Sequence, residues 1–114
     1  MKKINYHNKS FRSISNSPGG EVDGDTIFHY SQNGDIVSGT YKGGSIISGS
    51  LIARVDDEGK LDMRYQHVNK EGELMTGKCV SVPEILPDGR IRLKEKWQWT
   101  CGDHACGESV VEEI

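Results

Sequence analysis

Hydrophobic and polar residues alternate along most of the chain, and glycine-containing turns interrupt the alternation at short intervals. A period of two residues is typical of strands that bury one face. The pattern predicts about eight strands and no helix, with strands near residues 5–15, 26–32, 35–41, 45–56, 60–69, 73–86, 90–101 and 108–114. The polar segment 16–24, NSPGGEVDG, is predicted to be a loop between the first two strands.

The turns predict the pairing of the strands. Asn33-Gly34 is a strong signal for a two-residue hairpin loop, because glycine and asparagine tolerate positive φ. Four further turns fit three-residue loops that end on a left-handed glycine: Lys42–Gly44, Asp57–Gly59, Lys70–Gly72 and Pro87–Gly89. Since loop length fixes which residues lie opposite each other, these turns predict a register for most of the sheet.

The predicted register separates an apolar face from a charged one. Its apolar face carries the pairs Tyr30–Val37, Gly39–Ile47, Leu51–Tyr65, Gly49–His67, Tyr65–Gly77, Cys79–Trp97, Ser81–Glu95 and Gly77–Trp99. The other face carries Arg54, Asp62, Arg64, Gln66, Lys78, Arg90, Arg92, Lys94, Lys96 and Gln98. We therefore predict that odd-numbered residues from the third strand onward point inward. On the second strand the even-numbered residues are predicted to point inward, because the two-residue Asn33-Gly34 loop pairs them with odd-numbered residues of the third strand. His29 is therefore predicted to point outward.

An open sheet of this kind would leave two edge strands exposed, and closure removes both. Interior glycines at positions 39, 49 and 77 fit a curved sheet, because glycine in a strand marks bending or the close approach of a bulky neighbour. Gly77 is predicted to make room for the rings of Tyr65 and Trp99. We predict an all-β fold: a single antiparallel up-and-down meander closed into a lipocalin-like barrel, forming one domain over residues 1–114. The alternative is a flat sheet that dimerises face to face.

Composition narrows the classes of partner. The chain has 114 residues, 34% of them hydrophobic, and a net charge of -3 with interspersed signs, which gives no reason to expect nucleic acid or a membrane as partner. No apolar run is long enough for a membrane helix, and the N-terminus lacks the apolar stretch of a secretory signal. Three cysteines, an odd number, favour reduced thiols in the cytoplasm. No dinucleotide-binding or phosphate-loop motif is present, so no cofactor is expected. For the oligomeric state, we expect a monomer or a homodimer.

Glu95 is the most unusual residue on the predicted interior face. It alternates with Leu93 and Trp97 and lies opposite Ser81. A buried carboxylate is costly unless it is paired or neutralised. Glu95 is therefore either a structural carboxyl bonded to Ser81 or a tyrosine, or a ligand anchor or general acid.

Aromatic residues share this interior, namely Tyr30, Tyr41, Tyr65, Trp97 and Trp99. They fit either the wall of a small-molecule pocket or a filled core. His67 is predicted to face inward near the end that carries the 42–44 and 70–72 loops. It is either a hydrogen-bonded core residue or a ligand or base.

The segment Cys101-Gly102-Asp103-His104-Ala105-Cys106 contains residue types that bind zinc. A second Cys/His pair with structural spacing is missing, and so short a loop would not easily direct four donors at one ion. We expect no metal here, although Cys101 and Cys106 could form a disulfide under oxidation.

The strings FHYSQNG, IVSGTYKGGSI, SGSL, LDMRYQHVN, GELMTGKC, PEILPDGRIRL and EKWQWT run through nearly the whole chain. Through them the chain resembles a group of small bacterial proteins, some of which are labelled N-acetylglutamate synthase; the label would imply acyl or amino-acid chemistry. The Arg/Gln-x-x-Gly-x-Gly/Ala turn of acetyltransferases that make N-acetylglutamate has no counterpart in this sequence. In architecture, the predicted sheet resembles lipocalin-like and avidin-like barrels.

These observations leave three hypotheses. The first is a small-molecule-binding barrel in which a small apolar or aromatic molecule is surrounded by Tyr41, Tyr65, His67, Glu95, Trp97 and Trp99. The second is an enzyme that uses Glu95 or His67 as acid/base. The third is a protein-interaction or structural module with a solid core. The size of the interior cavity bears on all three, since ligand sites start at roughly 300 Å³.

Overall fold

The fold is described by a computed structural model that covers residues 4–114. Eight strands follow one another around a closed antiparallel barrel in chain order, and the first pairs with the last. They are β1 (Lys9–Asn16), β2 (Ile27–Asn33), β3 (Ile36–Gly43), β4 (Ile46–Val55), β5 (Leu61–Asn69), β6 (Leu74–Ile85), β7 (Ile91–Trp99) and β8 (Cys106–Glu113). The predicted fold class is confirmed.

The predicted register is confirmed for the four strands from β4 to β7. Gly49 lies opposite His67, Tyr65 opposite Gly77, and Ser81 opposite Glu95. The glycines that close the three connecting loops have positive φ, as expected for left-handed turn positions: Gly59 at 83°, Gly72 at 78° and Gly89 at 91°.

The register differs from the prediction on either side of β3. Asn33 pairs with Ile36, so the β2–β3 loop is Gly34-Asp35 and Tyr30 lies opposite Gly39, not Val37. Between β3 and β4, Gly39 lies opposite Leu51. Both differences shift the pairing by an even number of residues, so the interior faces of β2 and β3 are those predicted.

Ile47 was predicted to point inward, and this is wrong. Ile46 is buried, whereas Ile47 is 57% exposed. Strand β4 has irregular pairing with β5 between Ile46 and Ser48, and such an irregularity reverses which residues face the interior. At the adjoining connection, Gly43 at the end of β3 pairs with Ile46, so the turn is Gly44-Ser45 and not the predicted three-residue loop. Gly43 and Gly44 both have positive φ, whereas the prediction expected one such glycine.

The interior of the barrel holds the aromatic and aliphatic core, and the predicted charged set lies on the outside. His29 is exposed, as predicted. One end of the barrel is covered by residues 4–8, where the Tyr6 hydroxyl donates a hydrogen bond to the Gly59 carbonyl at 2.5 Å. We call the other end, which carries the β1–β2, β3–β4, β5–β6 and β7–β8 connections, the mouth. No helix within residues 4–114 is long and apolar enough to cross a membrane.

Candidate functional site

The interior contains a cavity of about 50 Å³. Since one water needs roughly 10–15 Å³ measured in this way, the cavity has room for about four waters. It is much smaller than the roughly 300 Å³ at which ligand pockets begin, yet the interior is not completely filled. The residues of the first hypothesis all line it: Tyr41, Tyr65, His67, Glu95, Trp97 and Trp99. The structure thus brings the six together, while their binding role stays a prediction.

Glu95 lies near the centre of β7, and its carboxyl oxygens face two serines on the neighbouring strands. The Ser81 hydroxyl on β6 donates to Oε2 at 2.6 Å, and the Ser109 hydroxyl on β8 donates to Oε1 at 3.2 Å. Both serines lie directly opposite Glu95 in the strand register. The predicted bond to Ser81 is present, and Ser109 is a second partner that the sequence analysis missed.

The environment of Glu95 disfavours its ionised form. Burial raises the pKa of the carboxyl above its usual value near 4.5, while hydrogen bonds from Ser81 and Ser109 oppose that shift. Glu95 is half-buried and lines the cavity. Burial also raises the pKa of Tyr30, and the nearby charge of Glu95 adds to the effect.

Aromatic rings surround the cavity in a nearly continuous series. Tyr41 stacks on Phe28 with ring centroids 4.9 Å apart, and Trp99 has the rings of Trp97 at 5.7 Å and Tyr65 at 6.0 Å. Burial raises the pKa of both Tyr41 and Tyr65, so both phenols are neutral.

Two interior glycines make room for these rings. A Cβ at Gly77 would overlap the far end of the Tyr65 ring, and a Cβ at Gly49 would lie 2.6 Å from Tyr41 Cζ. The space at Gly77 is thus filled by Tyr65, with Trp99 packed edge-on against that ring.

His67 uses both ring nitrogens. Nδ1 lies 2.9 Å from the Tyr41 hydroxyl, and Nε2 lies 2.7 Å from Oε1 of Glu21. Its side chain is 1% exposed. His67 is therefore the hydrogen-bonded interior residue that one of the two interpretations expected, and it also connects the cavity wall to the β1–β2 connection.

That connection, residues 17–26, covers the mouth and is called the mouth loop below. With Asn16 at the end of β1, it accepts hydrogen bonds from the rim of the cavity. The Trp97 indole donates to Asn16 Oδ1 at 2.8 Å, the Trp99 indole donates to the Gly19 carbonyl at 3.1 Å, and the Asn69 amide donates to Glu21 Oε2 at 3.0 Å. The donors at the mouth are therefore satisfied by the protein itself.

Sequence reasoning predicted the loop but missed the role of Glu21. One carboxylate among several polar residues in a loop carries no local signal that it folds back against His67, which is 46 positions away. The length and glycine content of the loop were the only clues.

The cysteine-containing segment 101–106 links β7 to β8 at the mouth. All three cysteines are free, and the Cys101 thiol contacts the backbone of Thr76. Within residues 4–114, no group of three His, Cys, Asp or Glu side chains is arranged to hold a metal ion. The disulfide considered for Cys101 and Cys106 is not formed in this structure.

Comparison with known protein families matches residues 4–114 to the family described as avidin-like protein. The match covers almost the whole chain and agrees with the closed barrel of eight antiparallel strands. Comparisons with curated proteins and with solved structures found no match.

Proposed function

We propose that this chain, which belongs to the avidin-like protein family, binds a small molecule inside its barrel. The observation that carries the proposal is the interior cavity itself, lined by aromatic rings and by the carboxyl group of Glu95. Apolar walls with few polar groups are typical of small-molecule sites, because burial supplies affinity and the polar groups fix orientation.

The geometry supports a division of roles among the lining residues. Trp97, Trp99 and Tyr65 offer ring surface to an apolar or aromatic body. Glu95 offers carboxyl oxygens to a group with N–H or O–H donors. With the mouth loop closed, the cavity admits only a few heavy atoms, so a larger molecule would require the loop to move.

Tryptophan fluorescence tests the proposal directly, because the chain has two tryptophans and both line the cavity. Titration with pools of small metabolites should give a saturable change in emission for at least one pool. Leu51 lines the cavity, so Leu51→Phe should fill it and abolish that response. The neighbouring Ile52 is 56% exposed on the outer wall, so Ile52→Phe is the matched control and should leave the response intact. No response to any pool, or equal effects of the two variants, would overturn the proposal.

Acid/base catalysis with Glu95 is a second candidate. The raised pKa of Glu95 in a cavity favours it, because a carboxyl group that keeps its proton to a higher pH than usual can act as a general acid. If a bound molecule from the pools is also chemically converted, Glu95→Gln should abolish turnover while binding persists. Conversion that survives Glu95→Gln would exclude this role of Glu95.

A further inference from the structure

In the described part of the chain, the Glu95 carboxyl is an acidic group without a positively charged partner. Its two hydrogen-bond donors, the hydroxyls of Ser81 and Ser109, are neutral. Within residues 4–114, no ion pair includes Glu95. In its ionised form, a carboxyl held this way has lost much of its hydration without gaining a counter-charge, which is why the environment disfavours that form until a cation is present.

The side chains around Glu95 explain why no counter-charge is available. Tyr6, Tyr30, Tyr65 and Cys79 lie near enough to interact with its charge, and none of these groups can become positive. The lysines adjacent in sequence, Lys94 and Lys96, are exposed on the outer wall.

Among the side chains that line the cavity, His67 is the one that could become positive, and it is already engaged elsewhere. Its two nitrogens contact Tyr41 and the carboxylate of Glu21. Any positive charge on His67 therefore has a partner at the mouth.

The remaining walls suit a small cation. The rings of Tyr65, Trp97 and Trp99 border the same cavity, and aromatic faces attract cations within about 6 Å of the ring centre. The cavity of about 50 Å³ has room for roughly four water-sized groups.

We infer that the molecule bound in the barrel is a small organic ammonium ion, whose N–H groups bond to Glu95 and whose alkyl part packs against the aromatic rings. The inference rests on the proposed function and specifies the chemical class of its ligand. The ammonium supplies the counter-charge that residues 4–114 do not offer to Glu95, and its N–H groups can use the carboxylate lone pairs left free by Ser81 and Ser109.

The test compares a cation with a neutral molecule of equal size. Propylammonium and 1-propanol each have four heavy atoms, so packing is similar and charge differs. Binding is measured on the full chain by calorimetry and by tryptophan emission at constant ionic strength. We expect propylammonium to bind at least ten-fold more tightly than 1-propanol. Equal affinities, or tighter binding of the alcohol, would overturn the inference.

Two variants test whether the preference for propylammonium depends on Glu95. Glu95→Gln keeps a side chain that can bond to both serines, and should remove the preference for propylammonium over 1-propanol. Glu108→Gln removes an exposed carboxylate on β8 and should keep the preference. A preference that survives Glu95→Gln would overturn the inference. Should Glu95→Gln fail to fold, the comparison of the two ligands on the unaltered protein still decides.

The same measurements separate this inference from the proposed function. A neutral molecule that binds and is blocked by Leu51→Phe, with no response to propylammonium, would overturn the cation inference and leave the small-molecule site standing. No response to any molecule would overturn both.

Discussion

Replacing Glu21 with alanine should open the mouth of the barrel while the barrel itself stays folded. Glu21 is the charged contact between the mouth loop and the rim, because its carboxylate bonds to His67 at 2.7 Å and to Asn69 at 3.0 Å. The barrel does not depend on this contact, since its eight strands are hydrogen-bonded in a closed ring. The loop should therefore loosen locally.

The size of the effect follows from the two lost hydrogen bonds. A hydrogen bond to a charged group contributes about 1.5–3 kcal/mol. The Glu21 side chain is 24% exposed, so water competes for it, and we take about 1.5–3 kcal/mol for both bonds together. At 1.4 kcal/mol per factor of ten, the open population of the loop should rise by about 10- to 150-fold.

Quenching of tryptophan fluorescence by acrylamide measures the opening without any ligand. Trp97 and Trp99 are only 7% and 6% exposed, and their indole N–H groups bond to Asn16 and Gly19. Opening of the mouth loop should expose both indoles, so quenching should increase and the emission should shift to longer wavelength.

Glu73→Ala is the matched control. Glu73 also accepts a hydrogen bond from Asn69 at 3.0 Å, but it lies outside the mouth loop. Its removal should leave quenching close to that of the unaltered protein. Unchanged quenching in Glu21→Ala, or an equal increase in Glu73→Ala, would refute the reasoning that Glu21 holds the mouth closed.

Two further predictions concern the interior. Gly77→Ala forces Tyr65 to move and should cost about 1–3 kcal/mol, which lowers the melting temperature by about 4–12 °C in calorimetry for a chain of this length. Gly24→Ala is the control, because the added Cβ would lie 3.8 Å from its nearest neighbouring atom, and it should change the melting temperature little. A Gly77→Ala protein as stable as this control would disprove the close packing of Tyr65 against Gly77. Glu95→Gln should change the pH dependence of stability. Burial raises the folded-state pKa of Glu95 above its unfolded value of about 4.5. The favourable contribution of the protonated carboxyl to the free energy of unfolding is therefore complete below about pH 4.5, and it is lost as the pH rises through the folded-state pKa. Urea unfolding should therefore show the variant gaining stability relative to the unaltered protein between pH 4 and pH 8, and a constant difference would contradict the shift.

Local turn chemistry made the register of β4 to β7 predictable. Loops such as Asp57–Gly59 and Pro87–Gly89 have a length that their glycines define. The first places Gly49 opposite His67, and the second places Ser81 opposite Glu95. The candidate cavity residues could be named for this reason, because they lie on the inward face of those strands.

The prediction failed where backbone irregularities enter. The side chain of Ile47 points outward because the pairing of β4 is irregular near Ile46, and the Gly44-Ser45 turn is tighter than the predicted three-residue loop. An irregularity of this kind depends on how two strands curve against a third, which hydrophobic alternation does not encode.

The sequence by itself determined an antiparallel meander and the inward position of Glu95, His67 and the tryptophans. These features follow from alternation with a period of two and from loop length, both of which act between near neighbours in the chain. The tertiary structure alone decided that Glu21 reaches His67, that the mouth loop takes the indole hydrogen bonds, and that a cavity of about 50 Å³ remains. Those features depend on contacts between residues far apart in sequence and on how completely the side chains fill the interior, and neither leaves a local pattern.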